Sequence, residues 1–128
     1  MIGLDTNVLA RFLMDDDVEQ TRTATKWIQD AIKKDEKLYL SHVVLCELIW
    51  VLGGYYKVGK EKSLETLEEL LSTQFVDVEE HEVTWDAIHD FAFSNAGFAD
   101  CLIRRKALAA GCSKLLTFDE KLSKARLI

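Results

Sequence analysis

The run Met1-Ile2-Gly3-Leu4-Asp5-Thr6-Asn7-Val8-Leu9 decides the fold. A short apolar stretch ends on an acid, as a buried strand does at its carboxyl end. Thr6 or Asn7 then caps a helix on which Val8, Leu9, Phe12 and Leu13 fall at helical spacing. The same order of strand then helix returns along the chain. Residues 37–40 alternate like a strand, and Ser41 caps a strongly apolar helix from His42 to Leu52 that Gly53-Gly54 weakens or ends. Residues 75–78 form a third strand, followed by a helix from Val83 to Ser94. Residues 114–118 form a fourth strand, with a short helix starting near Asp119.

Further helices fill the gaps. Asp15-Asp16-Asp17 is a polar break that caps a helix reaching about Lys34, with Ala24, Trp27, Ile28, Ala31 and Ile32 on its apolar face. Residues 60–73 and 99–110 are helical, the first with Leu64, Leu67, Leu70 and Leu71 on one side. Strands that alternate with helices or helix pairs predict an α/β fold: a three-layer α/β/α arrangement around a central parallel sheet of four or five strands. In such sheets the ligand crevice lies beyond the carboxyl ends of the strands.

The chain has 128 residues, 48% hydrophobic and 30% charged, with no proline-rich or glycine-rich linker and no repeat, so a single domain over 1–128 is expected. No apolar run reaches the roughly 18 residues of a membrane span, and the acid at position 5 does not suit a signal peptide. Cys46, Cys101 and Cys112 lack metal-type spacing and read as reduced core thiols of a cytoplasmic protein. The net charge of −6 argues against a nucleic-acid partner only weakly, because acids that hold a metal no longer repel phosphate.

Four acids stand where this fold can gather them: Asp5, Glu47, Asp100 and Asp119. Asp5 and Asp119 follow strands, Asp100 opens a helix, and Glu47 is the sole charge between Val43 and Leu52. Singly, Asp5, Asp100 and Asp119 read equally well as helix caps. Glu47 lies mid-helix, where the alternative is a buried salt bridge. Together they suit Mg2+ or Mn2+, hard cations that prefer carboxylate oxygen. A metal so held favours hydrolysis of a phosphodiester by activated water.

Other side chains have weaker claims. Thr6, Asn7 and Thr117 are candidates to orient the carboxylates. Arg11 and the run Arg104-Arg105-Lys106 are within reach of a substrate phosphate, although a solvated helix face explains such a run as well. Trp50, Tyr55 and Tyr56 suit base stacking, core packing or a dimer contact. His42, His81 and His89 are scattered and read as surface or cap residues.

Four pieces of this chain resemble the signatures of PIN-domain ribonucleases: residues 1–9, Ser41 to Glu47, Gly97-Phe98-Ala99-Asp100-Cys101-Leu102-Ile103, and Leu116-Thr117-Phe118-Asp119. They occur in order and span nearly the whole chain, with greatest likeness to the VapC-type toxins of toxin–antitoxin pairs. The resemblance implies Mg2+- or Mn2+-dependent endonucleolytic cleavage of RNA, a homodimer and a cognate antitoxin protein that blocks the site. It places Asp5, Glu47, Asp100 and Asp119 at the family's acidic positions, as catalytic and metal-binding residues. One departure stands out: many relatives carry an acid three residues before the position of Asp100, where this chain has Gly97. The stretch 124–128 is short against the family pattern, so a last edge strand is expected to be vestigial.

Two rival readings remain. An aspartyl-nucleophile phosphatase wants a second aspartate two residues after the first, and Asn7 in that place is no general acid. A non-catalytic interaction module of the same fold, or a phospho-receiver built on Asp77, would bind without cleaving.

Overall fold

Strands expected near residues 2, 38 and 76 form one parallel sheet in the computed structural model, which describes residues 1–123. The strands are β1 (Ile2–Gly3), β2 (Leu38–Leu40) and β3 (Val76–Val78), in the order β1-β2-β3. Ile2 pairs with Leu38, and Leu38 with Val76. The ladder extends past the strand ends: Leu4 N donates to the Tyr39 carbonyl at 3.1 Å, and Glu79 N to the Leu40 carbonyl at 3.0 Å. Asp5 and Ser41 therefore leave the sheet directly beyond its last bonds, at the carboxyl ends where the crevice of a parallel sheet opens.

The sheet belongs to a first unit, residues 1–79. It carries α1 (Thr6–Met14), α2 (Val18–Lys33), α3 (His42–Gly54) and α4 (Lys60–Ser72). Three caps open these helices: Asp17 and Ser41 as expected, and for α1 Asp5 in place of Thr6 or Asn7, which lie inside the helix. Asp5 accepts from Thr6 N, Asp17 from Gln20 N, and Ser41 from Val44 N. Asp15 ends α1 in the left-handed conformation, with φ of 51°. Leu38 and Leu40 on the sheet, Ile28 and Ala31 on α2, Leu45, Leu48 and Leu52 on α3, and Leu67 on α4 are buried. Each fully buried side chain of this size is worth about 1.5–3 kcal/mol. Gly53 and Gly54 do not stop α3, which runs through both.

The second unit, described here over residues 80–123, holds α5 (His81–Ala92), α6 (Phe98–Ala109) and α7 (Glu120–Ser123). Its interior is built by Ala87, Ile88 and Phe91 on α5 against Phe98, Cys101 and Leu102 on α6. Phe91 and Phe98 rings lie 6.1 Å apart.

The expected sheet of four or five strands is met by three among the described residues. Residues 114–118, expected as the fourth strand, take no strand conformation, and Leu116 and Phe118 are exposed. An apolar run becomes a strand only when a neighbour accepts its backbone bonds, and composition alone does not supply that neighbour. The edge strand expected within residues 124–128 lies outside the described residues.

Candidate active site around Thr6

Thr6 joins the first two acids. Its backbone N–H donates to Asp5 Oδ1 at 2.8 Å, and its hydroxyl donates to Glu47 Oε1 at 2.7 Å across 41 residues of sequence. The first bond follows from helix capping: Asp5 is extended, with φ −80° and ψ 156°, and turns its carboxylate onto the opening of α1. The second follows from burial. Thr6 is 6% exposed, so its hydroxyl needs a partner inside the fold and takes Glu47. Asp5 is thus the helix cap that its sequence context allows, and it is also bound to the residue that holds a second acid.

Glu47 sits differently from its sequence expectation. The apolar run around it suggests a buried acid, but Glu47 is exposed, in line with the exposed Val43 and Trp50 on one face of α3. Leu45, Leu48 and Leu52 take the buried face. No Lys, Arg or His pairs with Asp5 or Glu47 among the described residues. The bland alternative of a buried salt bridge therefore does not describe Glu47. Two carboxylates bound to one threonine, without a cation, repel each other and suit an added one.

Asp100 and Asp119 lie in the second unit. Asp100 is half-buried in the first turn of α6, where unpaired amides and the positive helix end favour an anion. Gly97 is the N-cap of that helix and makes no side-chain cap bond. A Cβ added at Gly97 would lie 3.8 Å from Asp100 Oδ2, an ordinary contact. Asp119 Oδ1 accepts from Lys121 N at 2.9 Å, and Asp119 N donates to Thr117 Oγ1 at 3.0 Å. Thr117 therefore orients the backbone of Asp119, whereas Thr6 holds a carboxylate directly.

The basic side chains singled out in the sequence are engaged elsewhere. Arg105 grips Asp90 with a two-pronged pair, Nε to Oδ2 at 2.6 Å and Nη2 to Oδ1 at 2.9 Å. Asp90 is 1% exposed, and its hydrogen bonds hold the Arg105 guanidinium above its ordinary pKa. Arg105 is a structural cation and not a phosphate contact. Lys106 pairs with Glu80 at 2.8 Å. Arg11 donates through Nη1 to both Asp16 oxygens and to the Tyr56 hydroxyl, and through Nε to Gln20 Oε1 at 2.7 Å.

Several expectations about exposure are reversed. His42 is buried, with its backbone N–H on Glu79 Oε1 at 3.0 Å and its ring Nδ1 3.6 Å from Glu79 Oε2. Tyr55 is exposed, Tyr56 is half-buried, and Cys112 is exposed, whereas Cys101 is buried and burial pushes the half-buried Cys46 thiol up. Trp27, read as core, is 58% exposed, while its neighbours Ala24 and Ile28 on α2 are buried. It stands at the margin of the apolar stripe, and its bulk beside small residues is the signal that marks it.

Comparison with known proteins gives the family of the chain. The chain is similar to a VapC ribonuclease from Aquifex aeolicus (strain VF5), 30% identical over 121 residues, which are 94% of this chain and 89% of that protein. No solved structure gives a significant match. The PIN domain family model matches residues 2–127, and with it the acid-tipped first strand and the capped helix that carries Thr6, so the chain belongs to the PIN-domain family.

Proposed function

We propose that this protein is a metal-dependent endoribonuclease, the toxin of a type II toxin–antitoxin pair, and that Asp5, Glu47, Asp100 and Asp119 are its catalytic, metal-binding set. The observation that carries the reading is the Thr6 node. Two acids far apart in sequence are bound to one buried threonine with no basic partner among the described residues. Family membership and the likeness to a VapC ribonuclease support it. The same match over residues 2–127 supports one PIN-like domain over 1–128. The three-layer α/β/α arrangement with a sheet of four or five strands belongs to this reading.

The donor set fits a hard cation. It consists of carboxylate oxygens, and the imidazole nearest Glu47 in sequence, His42, is held by Glu79. Mg2+ or Mn2+ in this set supplies activation of water and neutralisation of charge at the scissile phosphate. The chain's own residues prepare the set. Thr6 N–H orients Asp5, Thr6 O–H orients Glu47, the α6 opening favours the Asp100 carboxylate, and Lys121 N–H holds Asp119. Fixed carboxylates cost little reorganisation when substrate arrives.

RNA is the substrate, a cognate antitoxin protein is the partner, and the protein is a cytoplasmic homodimer. No described helix is long and apolar enough to cross a membrane. The test is cleavage of total RNA by purified protein with Mg2+ or Mn2+, with cut sites mapped and a chelator arm. Cleavage that stops with chelator is expected. RNA left intact under both metals overturns the enzyme reading in favour of a non-catalytic interaction module.

A further inference from the structure

Beside the Thr6 node, α1 and α2 enclose a groove of about 420 Å³ that the four acids do not use. Its volume falls in the range of roughly 300–1,000 Å³ typical of small-molecule sites. Its lining begins at Asn7, two residues after Asp5, and includes Val8, Arg11, Gln20, Ala24 and Trp27. The apolar wall and the polar rim have distinct origins. Ala24, 3% exposed, forms part of the floor, and the Trp27 indole is 58% exposed at its side. Asn7 is exposed on the first turn of α1 and carries both a donor and an acceptor. Gln20 offers its Oε1 to Arg11, which leaves its amide N–H groups as donors. Arg11 spends Nε and Nη1 on Gln20, Asp16 and Tyr56, and its Nη2 makes no hydrogen bond among the described residues.

We infer that this groove is a nucleotide subsite that takes one unpaired RNA base next to the scissile phosphate. The base stacks on Trp27, its edge meets the carboxamides of Asn7 and Gln20, and its phosphate meets Arg11 Nη2. The inference rests on the ribonuclease reading above and adds a substrate class to it. Single-stranded RNA is recognised by aromatic stacking and by hydrogen bonds to free base edges, whereas side chains read a duplex poorly. Two further points favour a base over an apolar peptide side chain. The rim includes the carboxamides of Asn7 and Gln20 and the Arg11 guanidinium, and Asn7 follows Asp5 by two residues at the start of α1. Glu19 is the acidic residue of the lining and disfavours phosphate at its end, which leaves the Arg11 end, where Asp16 already pairs with Nη1 and only Nη2 is open to a phosphate oxygen.

The experiment uses Trp27 as its own reporter. Phe replaces Trp50 and Trp85 in the full chain, and Trp27 fluorescence is followed with chelator present, so that binding is read without cleavage. The probes are oligo(A) and oligo(U) octamers and a blunt RNA duplex. Saturable quenching by at least one single-stranded probe, absent with the duplex, is expected. Trp27→Ala should weaken binding of that probe, read by fluorescence anisotropy of a labelled octamer, about 5- to 150-fold, the range that one base–aromatic stack supplies. Trp27→Phe should retain most of the affinity. Asn7→Ala should change the ratio of oligo(A) to oligo(U) affinity.

Unchanged Trp27 fluorescence with both octamers overturns the inference, as does Trp27→Ala binding within twofold of wild type. If Trp27→Ala instead escapes inhibition by an antitoxin while its octamer affinity is unchanged, the groove docks protein and the inference fails. Cleavage of total RNA with Mg2+, measured in parallel, separates this failure from that of the ribonuclease reading. A protein that cuts RNA but shows no quenching loses only the subsite. A protein that cuts no RNA loses both.

Discussion

Two pairings of acids in this molecule have opposite construction. In the second unit Asp90 is buried and fully engaged by Arg105, with both oxygens taken at 2.6 and 2.9 Å. In the first unit Asp5 and Glu47 are exposed and meet at Thr6, and no basic side chain among the described residues neutralises them. A buried acid must bring its own cation, because an unpaired charge costs several kcal/mol in the interior. Acids that stay near water can keep their charge for a ligand. The first arrangement stabilises a fold, and the second is suited to chemistry.

The sharpest break of this contrast is Asp90→Ala. It removes both short bonds of the Arg105 guanidinium, while the exposed Asp86 stays 3.9 Å away, and should destabilise the protein by about 3–5 kcal/mol, read by denaturant unfolding. Replacing both residues by apolar ones of similar volume should recover most of that loss. A single variant within about 1 kcal/mol of wild type would remove the structural role assigned to the pair.

Asp5→Asn should do the reverse. Asn is also a good N-cap, so unfolding should barely change, while RNA cleavage falls by more than the roughly 10–100-fold seen for residues standing behind a metal ligand. In cells, growth arrest on expression should vanish with the same substitution. Wild-type cleavage by this variant would dismiss the carboxylate site.

Thr6→Val removes the hydroxyl that holds Glu47 but keeps the backbone N–H on Asp5. Activity or Mn2+ affinity should fall about 10–100-fold, with a stability cost near 1 kcal/mol. Thr6→Ser should restore much of both. Equal losses for the two variants would mean that packing, and not the hydroxyl, matters.

The smallest effect belongs to Gly97→Asp. Gly97 has φ −74° and ψ 164°, which any residue adopts, and a Cβ there has room. A capping carboxylate should stabilise α6 by a few tenths of a kcal/mol. It also places a new acid beside Asp100, so tighter Mn2+ binding by calorimetry is expected. Unchanged binding would indicate that this position does not contribute to the metal site.

Much of the helical order is legible in the sequence because its signals are local. Asp5, Asp17 and Ser41 cap helices by bonds that span at most three residues, and the leucines of α4 repeat at helical spacing. The reading of Arg105 fails for the opposite reason. It looks like one charge in an exposed basic run, and only its packing beside Asp90, 15 residues earlier, makes it structural. Trp27 and His42 fail in the same way, since the amphipathic stripe of α2 has an ill-defined margin and a helix start near Glu79 is not visible locally. Residues 114–118 carry the composition of a strand but lack strand pairing among the described residues.

By itself, the sequence determined the positions of the four acids, the order of helices and first three strands, and the caps that begin α1, α2 and α3. Periodicity and capping act within one or two turns, so they are written in neighbouring residues. Tertiary structure decided which acids are given a basic partner. It closed the distance from Thr6 to Glu47, spent Arg105 on Asp90, and turned Trp27 outward. Burial and pairing depend on residues far along the chain, and their energies are settled only when those residues meet.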